Sequence, residues 1–395
     1  MNVSLLPDED TLPIAYGPLG LIGMQGCEDL LGRVDYYITT WRTTDTNRDQ
    51  MTLSEAEAPP DNGQFTIQAT CPRFNTGEAK GFVTQSVRGY DLYILMDAFN
   101  YGITYTMYNM KVPMSPDDHF SDLKRIIAAA GGKARRISVI MPMLYEGRQH
   151  KRYARESLDC ALALQELANM GVENIITFDA HDSRVQNAVP LKGFENIRPT
   201  YQMIKALIRR FPDLNINRDD LMIVSPDEGS MSRCIFYSAV LGVDLGMFYK
   251  LRDYTRLVDA RNPIIRHEFL GDNIAGKDVI VIDDMISSGD SVLSITKILK
   301  AQGARRIFVF ATFGLFSDGL ARFDEAYQKE HFDCIFTTNL IYRTDELKKR
   351  PWYCEVDMSK YIAYIIDTLN YDRSISDLLD PTERIHKLMR KHLSR

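Results

Sequence analysis

From about residue 82 onward, the chain alternates between short apolar runs and longer amphipathic segments. The apolar runs predict strands at Phe82–Val87, Asp91–Met96, Ile137–Met141 and Ile175–Phe178. In Asp117–Ala130 and Glu156–Met170, apolar residues recur at spacings of three and four positions, which predicts helices. Gly131 and Gly171 follow these two helices directly, as expected at helix C-termini.

The same alternation begins again after Pro212. Strands are predicted at Leu221–Val224, Val243–Phe248, Val279–Ile282, Ile307–Thr312 and Cys334–Thr337, and helices at Met231–Leu241, Ser291–Gln302 and near Met358–Leu369. Strands that alternate with helices are typical of parallel sheets with right-handed crossovers. The sequence therefore predicts two α/β domains, at residues 71–205 and 206–380. Residues 1–70 are interpreted as an amino-terminal extension of unclear role, and 381–395 as a basic helical tail.

Composition narrows the class of protein. The chain has 45% hydrophobic and 25% charged residues, as a globular protein does, and its net charge of −6 does not favour nucleic-acid binding. The apolar runs are too short to span a bilayer, so no membrane association is expected. Six cysteines lie far apart without a Cys-x-x-Cys pair, and Met1–Asp10 lacks the features of a secretory signal. We therefore expect a cytoplasmic protein with reduced thiols.

The strongest chemical signal follows the predicted strand Val279–Ile282. Two carboxylates, Asp283 and Asp284, come at its carboxyl end, and a turn then leads into a helix with the residues Ser287, Ser288, Gly289, Asp290 and Ser291. A helix N-terminus binds phosphate through its N–H groups, and the carboxylates can bind sugar hydroxyls or hydrated Mg²⁺. The alternative is an acidic strand end followed by a capped helix with no ligand.

Other residues with useful chemistry also follow predicted strands, where α/β proteins bind their ligands. These residues are Arg148, Gln149, His181, Asp227, Lys250 and Arg252. Taken alone, the charged ones are equally consistent with solvated loops, and the histidine with a structural hydrogen bond.

The motifs together resemble the ribose-phosphate pyrophosphokinases, also called phosphoribosyl pyrophosphate synthetases. In family order they are Pro72–Glu78, Ser86–Tyr93, Tyr145–Arg152, Phe178–His181, Ser225–Gly229, Tyr249–Arg252 and Val279–Ser291. The resemblance covers roughly residues 72–379. It implies two phosphoribosyltransferase-like domains and an enzyme that transfers the β,γ-diphosphoryl group of ATP to O1 of ribose 5-phosphate. The products are phosphoribosyl pyrophosphate and AMP.

The resemblance also implies a role for each matched residue. ATP is expected to contact Phe74, Glu78, Arg148, Gln149 and His181, with Mg²⁺ near His181 and Asp227. The catalytic flap is expected to carry Lys250 and Arg252. Ribose 5-phosphate is expected to bind Asp283, Asp284, Ser287, Ser288, Gly289, Asp290 and Ser291. Family members form homo-oligomers with nucleotide sites at subunit interfaces, so a homo-oligomer is expected here.

The chain departs from the family pattern at several positions. Ser287 and His150 each replace an Asp, and Asp290 and Ser230 each replace a Gly. Two alternatives therefore stay open. One is a non-catalytic regulatory subunit of a phosphoribosyl pyrophosphate synthetase. The other is a phosphoribosyltransferase, which uses the same diphosphate with a base or an amine.

Overall fold

The computed structural model describes residues 14–43, 63–252 and 264–393, apart from the side chains of residues 250–252, 264–267 and 393. The first part of the chain forms, in order, β1 (Leu19–Gly23), α1 (Glu28–Thr43), β2 (Ala69–Thr70), β3 (Phe82–Val83), β4 (Asp91–Leu95), β5 (Thr104–Met107), β6 (Met110–Pro113), α2 (Pro116–Ala130), β7 (Arg136–Ile140), α3 (Asp159–Asn169), β8 (Asn174–Phe178), a 3-10 helix (Ser183–Ala188) and β9 (Gly193–Ile197).

The second part continues with α4 (Thr200–Arg210), β10 (Leu221–Ser225), α5 (Met231–Leu241), β11 (Asp244–Arg252), β12 (Ile264–Leu270), β13 (Asp278–Ile286), α6 (Asp290–Ala301), β14 (Ile307–Gly314), α7 (Ala321–Gln328), β15 (Cys334–Thr338), α8 (Asp345–Lys348), β16 (Tyr353–Val356), α9 (Ser359–Asn370), α10 (Ser376–Leu379) and α11 (Thr382–Leu393). None of the described helices is long and apolar enough to cross a lipid bilayer.

The first sheet has five parallel strands in the order β1-β4-β7-β8-β9. Its central strands β4 and β7 are buried on both faces, as is typical of parallel strands covered by helices. Helices α1 and α9 pack on one face, and α2 and α3 pack on the other. Helix α2 begins with a capping box between Ser115 and Asp118, which satisfies N–H groups of the first turn.

The second sheet has seven strands in the order β12-β11-β10-β13-β14-β15-β16. All neighbours are parallel except β11 and β12, which are antiparallel. Helices α4, α5 and α11 cover one face, and α6, α7 and α8 cover the other. The predicted fold class, two α/β units that each contain a mainly parallel sheet, is therefore confirmed.

The structure differs from the predicted domain bounds in three places. The extension at residues 1–70 contains β1 and α1, which belong to the first sheet and its helix layer. The expected boundary at residues 205/206 falls inside α4, whose Met203 and Leu207 pack on the second sheet, so the chain passes between the units near Arg198. Helix α9 returns to the first unit, where Tyr364 stacks on Trp41 with ring centroids 4.5 Å apart.

The carboxy-terminal tail is a docked helix in the described residues. Helix α11 carries Arg390, Lys391 and His392 in its last turn, and it buries Ile385 and Met389 in the core that α4 and α5 share. The His392 ring also contacts the carbonyl oxygen of Leu214 at 2.8 Å. The basic helix predicted for residues 381–395 thus packs on the second unit.

Candidate active site

Two adjoining cavities lie where the carboxyl ends of the two sheets face each other. The larger cavity, about 520 Å³, lies on the side of the first unit. The smaller one, about 190 Å³, lies over the end of β13 and the start of α6. Arg148, His181, Asp284 and Met285 line both cavities. The loops that follow β7 and β8 thus meet the acidic strand of the other sheet.

The acidic pair lies inside β13, whereas the sequence predicted that the strand ends at Ile282. The ladder with β14 continues to Ile286, and Asp283 pairs with Ala311. Asp284 Oδ2 accepts a hydrogen bond from His181 Nδ1 at 2.6 Å, and Ser230 Oγ donates to Asp283 Oδ1 at 2.7 Å. The parallel sheet therefore holds both carboxylates rigidly.

The two carboxylates have different electrostatic surroundings. Burial alone favours the neutral acid, but the hydrogen bond from His181 and the charge of Arg233 lower the pKa of Asp284. Burial and the neighbouring Asp284 charge raise the pKa of Asp283. The hydrogen bond to Asp284 raises the pKa of His181. The pair therefore favours a state in which Asp284 is ionised against His181 and Asp283 accepts a proton more readily.

The turn after β13 has the geometry of a phosphate cradle. Gly289 has a φ angle of 87° and precedes the first residue of α6. Only glycine fits here, because a Cβ atom at this position would lie 2.2 Å from Cζ of Phe323. The first N–H groups of α6 and the residues Ser287, Ser288 and Ser291 line the smaller cavity.

A buried ion pair that no sequence motif predicted joins the two units next to His181. Asp179 directly follows β8 and has a φ angle of 42°. Its two carboxylate oxygens each lie 2.9 Å from Nε of Arg233 on α5, and Oδ2 also accepts a hydrogen bond from Thr312 Oγ1 at 2.6 Å. We call Asp179, Arg233 and Thr312 the interdomain clasp. Asp179 lies within the Phe178–His181 motif, but no motif in the sequence marked Arg233, in the first turn of α5, as its partner.

The predicted nucleotide residues separate into two groups. Arg148, Gln149 and His181 line the larger cavity. Phe74 and Glu78 lie on a turn between β2 and β3, and they are not among the described residues that line either cavity. The ring of Phe74 is 60% exposed. Within one chain, the structure does not bring these two residues to the others.

The departure at His150 lies beside the nucleotide residues. His150 Nε2 is 3.4 Å from Asp182 Oδ2, and its ring centroid is 5.3 Å from that of His181. Burial lowers the pKa of His150, which favours the neutral ring. An uncharged imidazole therefore occupies the position where the family pattern has a carboxylate.

Of the predicted metal and catalytic residues, the structure describes the side chains of the metal residues but not those of the catalytic ones. Asp227 lines the smaller cavity together with Asp283 and Asp284. Within the described residues, no three His, Cys, Asp or Glu side chains are grouped so that they could hold a metal ion. Mg²⁺ commonly uses one or two carboxylates, waters and substrate phosphates, and this donor set fits that mode. Lys250 and Arg252 end β11, and their side chains lie outside the described part of the chain.

Comparisons with known sequences agree with these motifs. Residues 59–171 match the family described as the N-terminal domain of ribose phosphate pyrophosphokinase. Residues 257–380 match the phosphoribosyl synthetase-associated domain. A ribose-phosphate pyrophosphokinase of Vibrio cholerae is 26% identical over 318 residues, which is 79% of this chain and 91% of that protein. The Mycoplasma pneumoniae enzyme of the same name is 28% identical over 254 residues, 64% of this chain and 73% of its own.

A solved structure shares the whole fold. The phosphoribosylpyrophosphate synthetase from Mycobacterium smegmatis superposes with a TM-score of 0.69 at 21% identity, covering 90% of this chain and 99% of that one. At this identity the likeness concerns the fold alone. The two family matches follow each other along the chain, and together they span more than half of it. The chain therefore belongs to the ribose-phosphate pyrophosphokinase family of transferase enzymes.

Proposed function

We propose that the protein is a ribose-phosphate diphosphokinase that makes phosphoribosyl pyrophosphate and AMP from ATP and ribose 5-phosphate. The observation that carries this proposal is the junction of the two cavities at Arg148, His181 and Asp284. A nucleotide in the larger cavity and a sugar phosphate in the smaller one would bring their reacting ends together at this junction.

The smaller cavity has suitable partners for both the phosphate and the hydroxyl groups of ribose 5-phosphate. The turn Ser287–Ser291 and the N-terminus of α6 offer N–H and hydroxyl donors to the 5-phosphate. Asp283 and Asp284 offer acceptors to the ribose hydroxyls from the opposite side of the same cavity. The anomeric hydroxyl is thereby directed toward the larger cavity.

The proposed reaction is an in-line displacement at the β-phosphorus of ATP. As the bond from O1 of the sugar to the β-phosphorus forms, the bond from that phosphorus to the bridging oxygen of the α-phosphate breaks. O1 releases its proton to solvent, and AMP leaves with the bridging oxygen. Positive charge around the transferred group supplies most of the rate in such reactions, because little covalent work is left to the protein.

Cationic side chains from several parts of the chain can supply this positive charge. Arg148 and Arg233 line the cavities from the first and the second unit. Lys250 and Arg252 are proposed to add two cations from the carboxyl end of β11. Asp227 and His181 are proposed to hold Mg²⁺ that arrives with ATP, and this ion neutralises phosphate charge when it is bound.

We also propose that the nucleotide site is completed by a second copy of the chain. Phe74 can stack on adenine and Glu78 can accept a hydrogen bond from its amino group. Neither residue lines the cavities of its own chain among the described residues. A homo-oligomer in which this turn reaches the neighbouring larger cavity accounts for their position.

The test is a coupled assay for AMP release with purified protein, ATP, Mg²⁺ and ribose 5-phosphate, with the sugar product identified by phosphorus NMR. We expect equal amounts of AMP and phosphoribosyl pyrophosphate, and a large loss of rate in Lys250→Ala. Nucleotide binding without turnover would point to a regulatory subunit. Pyrophosphate release that depends on an added base or amine would point to a phosphoribosyltransferase.

A further inference from the structure

The phosphate cradle contains a carboxylate of its own. Asp290 is the first residue of α6 and lines the smaller cavity. Its Oδ2 atom accepts a hydrogen bond from Ser288 Oγ at 2.9 Å. The partial positive charge at a helix N-terminus stabilises a carboxylate there, and it would stabilise a bound phosphate in the same way. Asp290 therefore competes with an incoming phosphate for the N-terminus and for the Ser288 hydroxyl.

A cation outside the cradle is paired with this carboxylate. Nη1 of Arg322 on α7 lies 2.6 Å from Asp290 Oδ1, and the two side chains are 50% and 67% exposed. Arg322 is not among the described residues that line the smaller cavity. The hydrogen bonds from Arg322 and Ser288 lower the pKa of Asp290, so the carboxylate stays charged at neutral pH.

The segment that carries Arg322 is fixed against the cradle by packing. Phe323, the next residue, is fully buried directly beneath Gly289. The N–H group of Ser317 donates to the carbonyl oxygen of Ser287 at 3.1 Å. The backbone that carries Arg322 is thus anchored next to the turn, which places its side chain within reach of Asp290.

We infer that Arg322 is a positioning residue for sugar-phosphate binding, which acts by pairing with Asp290 and holding its carboxylate away from the bound phosphate. The inference rests on the proposed function, since it assigns the 5-phosphate to this turn. Paired with Arg322, the Asp290 charge becomes part of a dipole, whose repulsion of a phosphate dianion falls off faster with distance. Without Arg322, the full negative charge faces the ligand.

The test is the affinity for ribose 5-phosphate, measured by calorimetry on the full-length protein with saturating Mg²⁺ and α,β-methylene-ATP, which cannot transfer its diphosphoryl group. We expect Arg322→Met to weaken binding about two- to tenfold, and Asp290→Asn to tighten it by a similar factor. In the double variant, Arg322→Met should have no further effect. Lys329→Met, which removes a cation from the other end of α7, should bind as the wild type does.

The outcomes separate this inference from the proposed function. If the wild type does not bind ribose 5-phosphate, the proposed function is wrong. If it binds but Arg322→Met leaves the affinity unchanged, the inference is wrong. If Arg322→Met weakens binding equally with Asp or Asn at position 290, Arg322 contacts the phosphate directly, and the role through Asp290 is refuted. Both ion-pair residues are exposed, so thermal unfolding should stay close to that of the wild type.

Discussion

The interdomain clasp gives the most specific prediction for both stability and catalysis. In Arg233→Met, the Asp179 carboxylate loses a cation that lies 2.9 Å from both of its oxygens. The two side chains are only 11% and 7% exposed, so water cannot replace the lost partner. Removing one member of a buried ion pair costs about 3–5 kcal/mol, and we expect a loss of that size in the free energy of unfolding.

The Arg233→Met substitution should also displace His181 in the active site, because Asp179 and His181 lie in the same short segment. Asp179 lies two residues before His181, and Thr312 still holds one of its oxygens at 2.6 Å. Arg233 is also charged next to the acidic pair. Burial opposes that charge, but the carboxylates of Asp179, Asp284 and Asp283 raise its pKa above the ordinary value. A shift of about 1 Å at His181 would lower kcat about 100-fold.

The assay compares denaturant unfolding with steady-state AMP release in three variants. Arg233→Lys keeps the charge but loses the planar donor group, so it should lie between the wild type and Arg233→Met. Arg184→Met is the matched control, because Arg184 pairs with Asp182 near the same strand end but its side chain is 76% exposed. Its stability should stay close to that of the wild type. Wild-type stability and kcat in Arg233→Met would refute the reasoning.

Three further predictions test other parts of the account. Gly289→Ala should lower the free energy of unfolding by about 2–5 kcal/mol, because its φ of 87° and a blocked Cβ position act together. Burial raises the pKa of Asp97 from 3.8 to about 6. The folded state therefore binds the proton more tightly, and Asp97 should contribute a fall of about 2 kcal/mol in the free energy of unfolding as the pH rises from about 4 to 7. Tyr105→Ala should raise KM for ATP about two- to tenfold with little change in kcat, because the ring of Tyr105 lies 4.4 Å from the Arg73 guanidinium that supports the Phe74 turn.

Each of these predictions has a matched control. Gly171 also has a positive φ, 91°, but nothing lies within 4 Å of its Cβ position, so Gly171→Ala should cost only about 1–2 kcal/mol. Asp97→Asn should remove the predicted fall in stability between pH 4 and 7. Tyr105→Phe keeps the aromatic face and should retain the wild-type KM. Equal losses in the two glycine variants, an unchanged pH slope in Asp97→Asn, or an altered KM in Tyr105→Phe would contradict the respective arguments.

Apolar strands and amphipathic helices were predictable because their signals are local. Helix α5 has the predicted bounds, Met231–Leu241, and β4 and β7 lie within a residue of their predicted positions. Strand β1 was missed because its sequence contains two glycines and reads as a turn-rich segment. Strand β13 was predicted four residues short at its carboxyl end, because aspartates are uncommon in strands and here the ladder with β14 supports them.

The parts of the candidate site that could be predicted are those where residues with functional side chains lie together in one segment of the sequence. Asp283 and Asp284 and the serine-rich turn have such a signal in a single segment. The interdomain clasp has no signal for its pairing, since Arg233 and Thr312 lie 54 and 133 positions from Asp179 and meet it only in the folded chain. The same holds for Arg322, which reaches Asp290 from a helix that no motif marked. Long-range contacts of this kind follow from packing between the units and not from local pattern.

The most direct measurement is a crystal structure with α,β-methylene-ATP, Mg²⁺ and ribose 5-phosphate bound. The account predicts the 5-phosphate on the N–H groups of residues 289–291, the ribose hydroxyls on Asp283 and Asp284, and the nucleotide phosphates beside Arg148 and His181. A turn that stays empty at saturating sugar phosphate, or a nucleotide bound away from the junction of the two cavities, would contradict it.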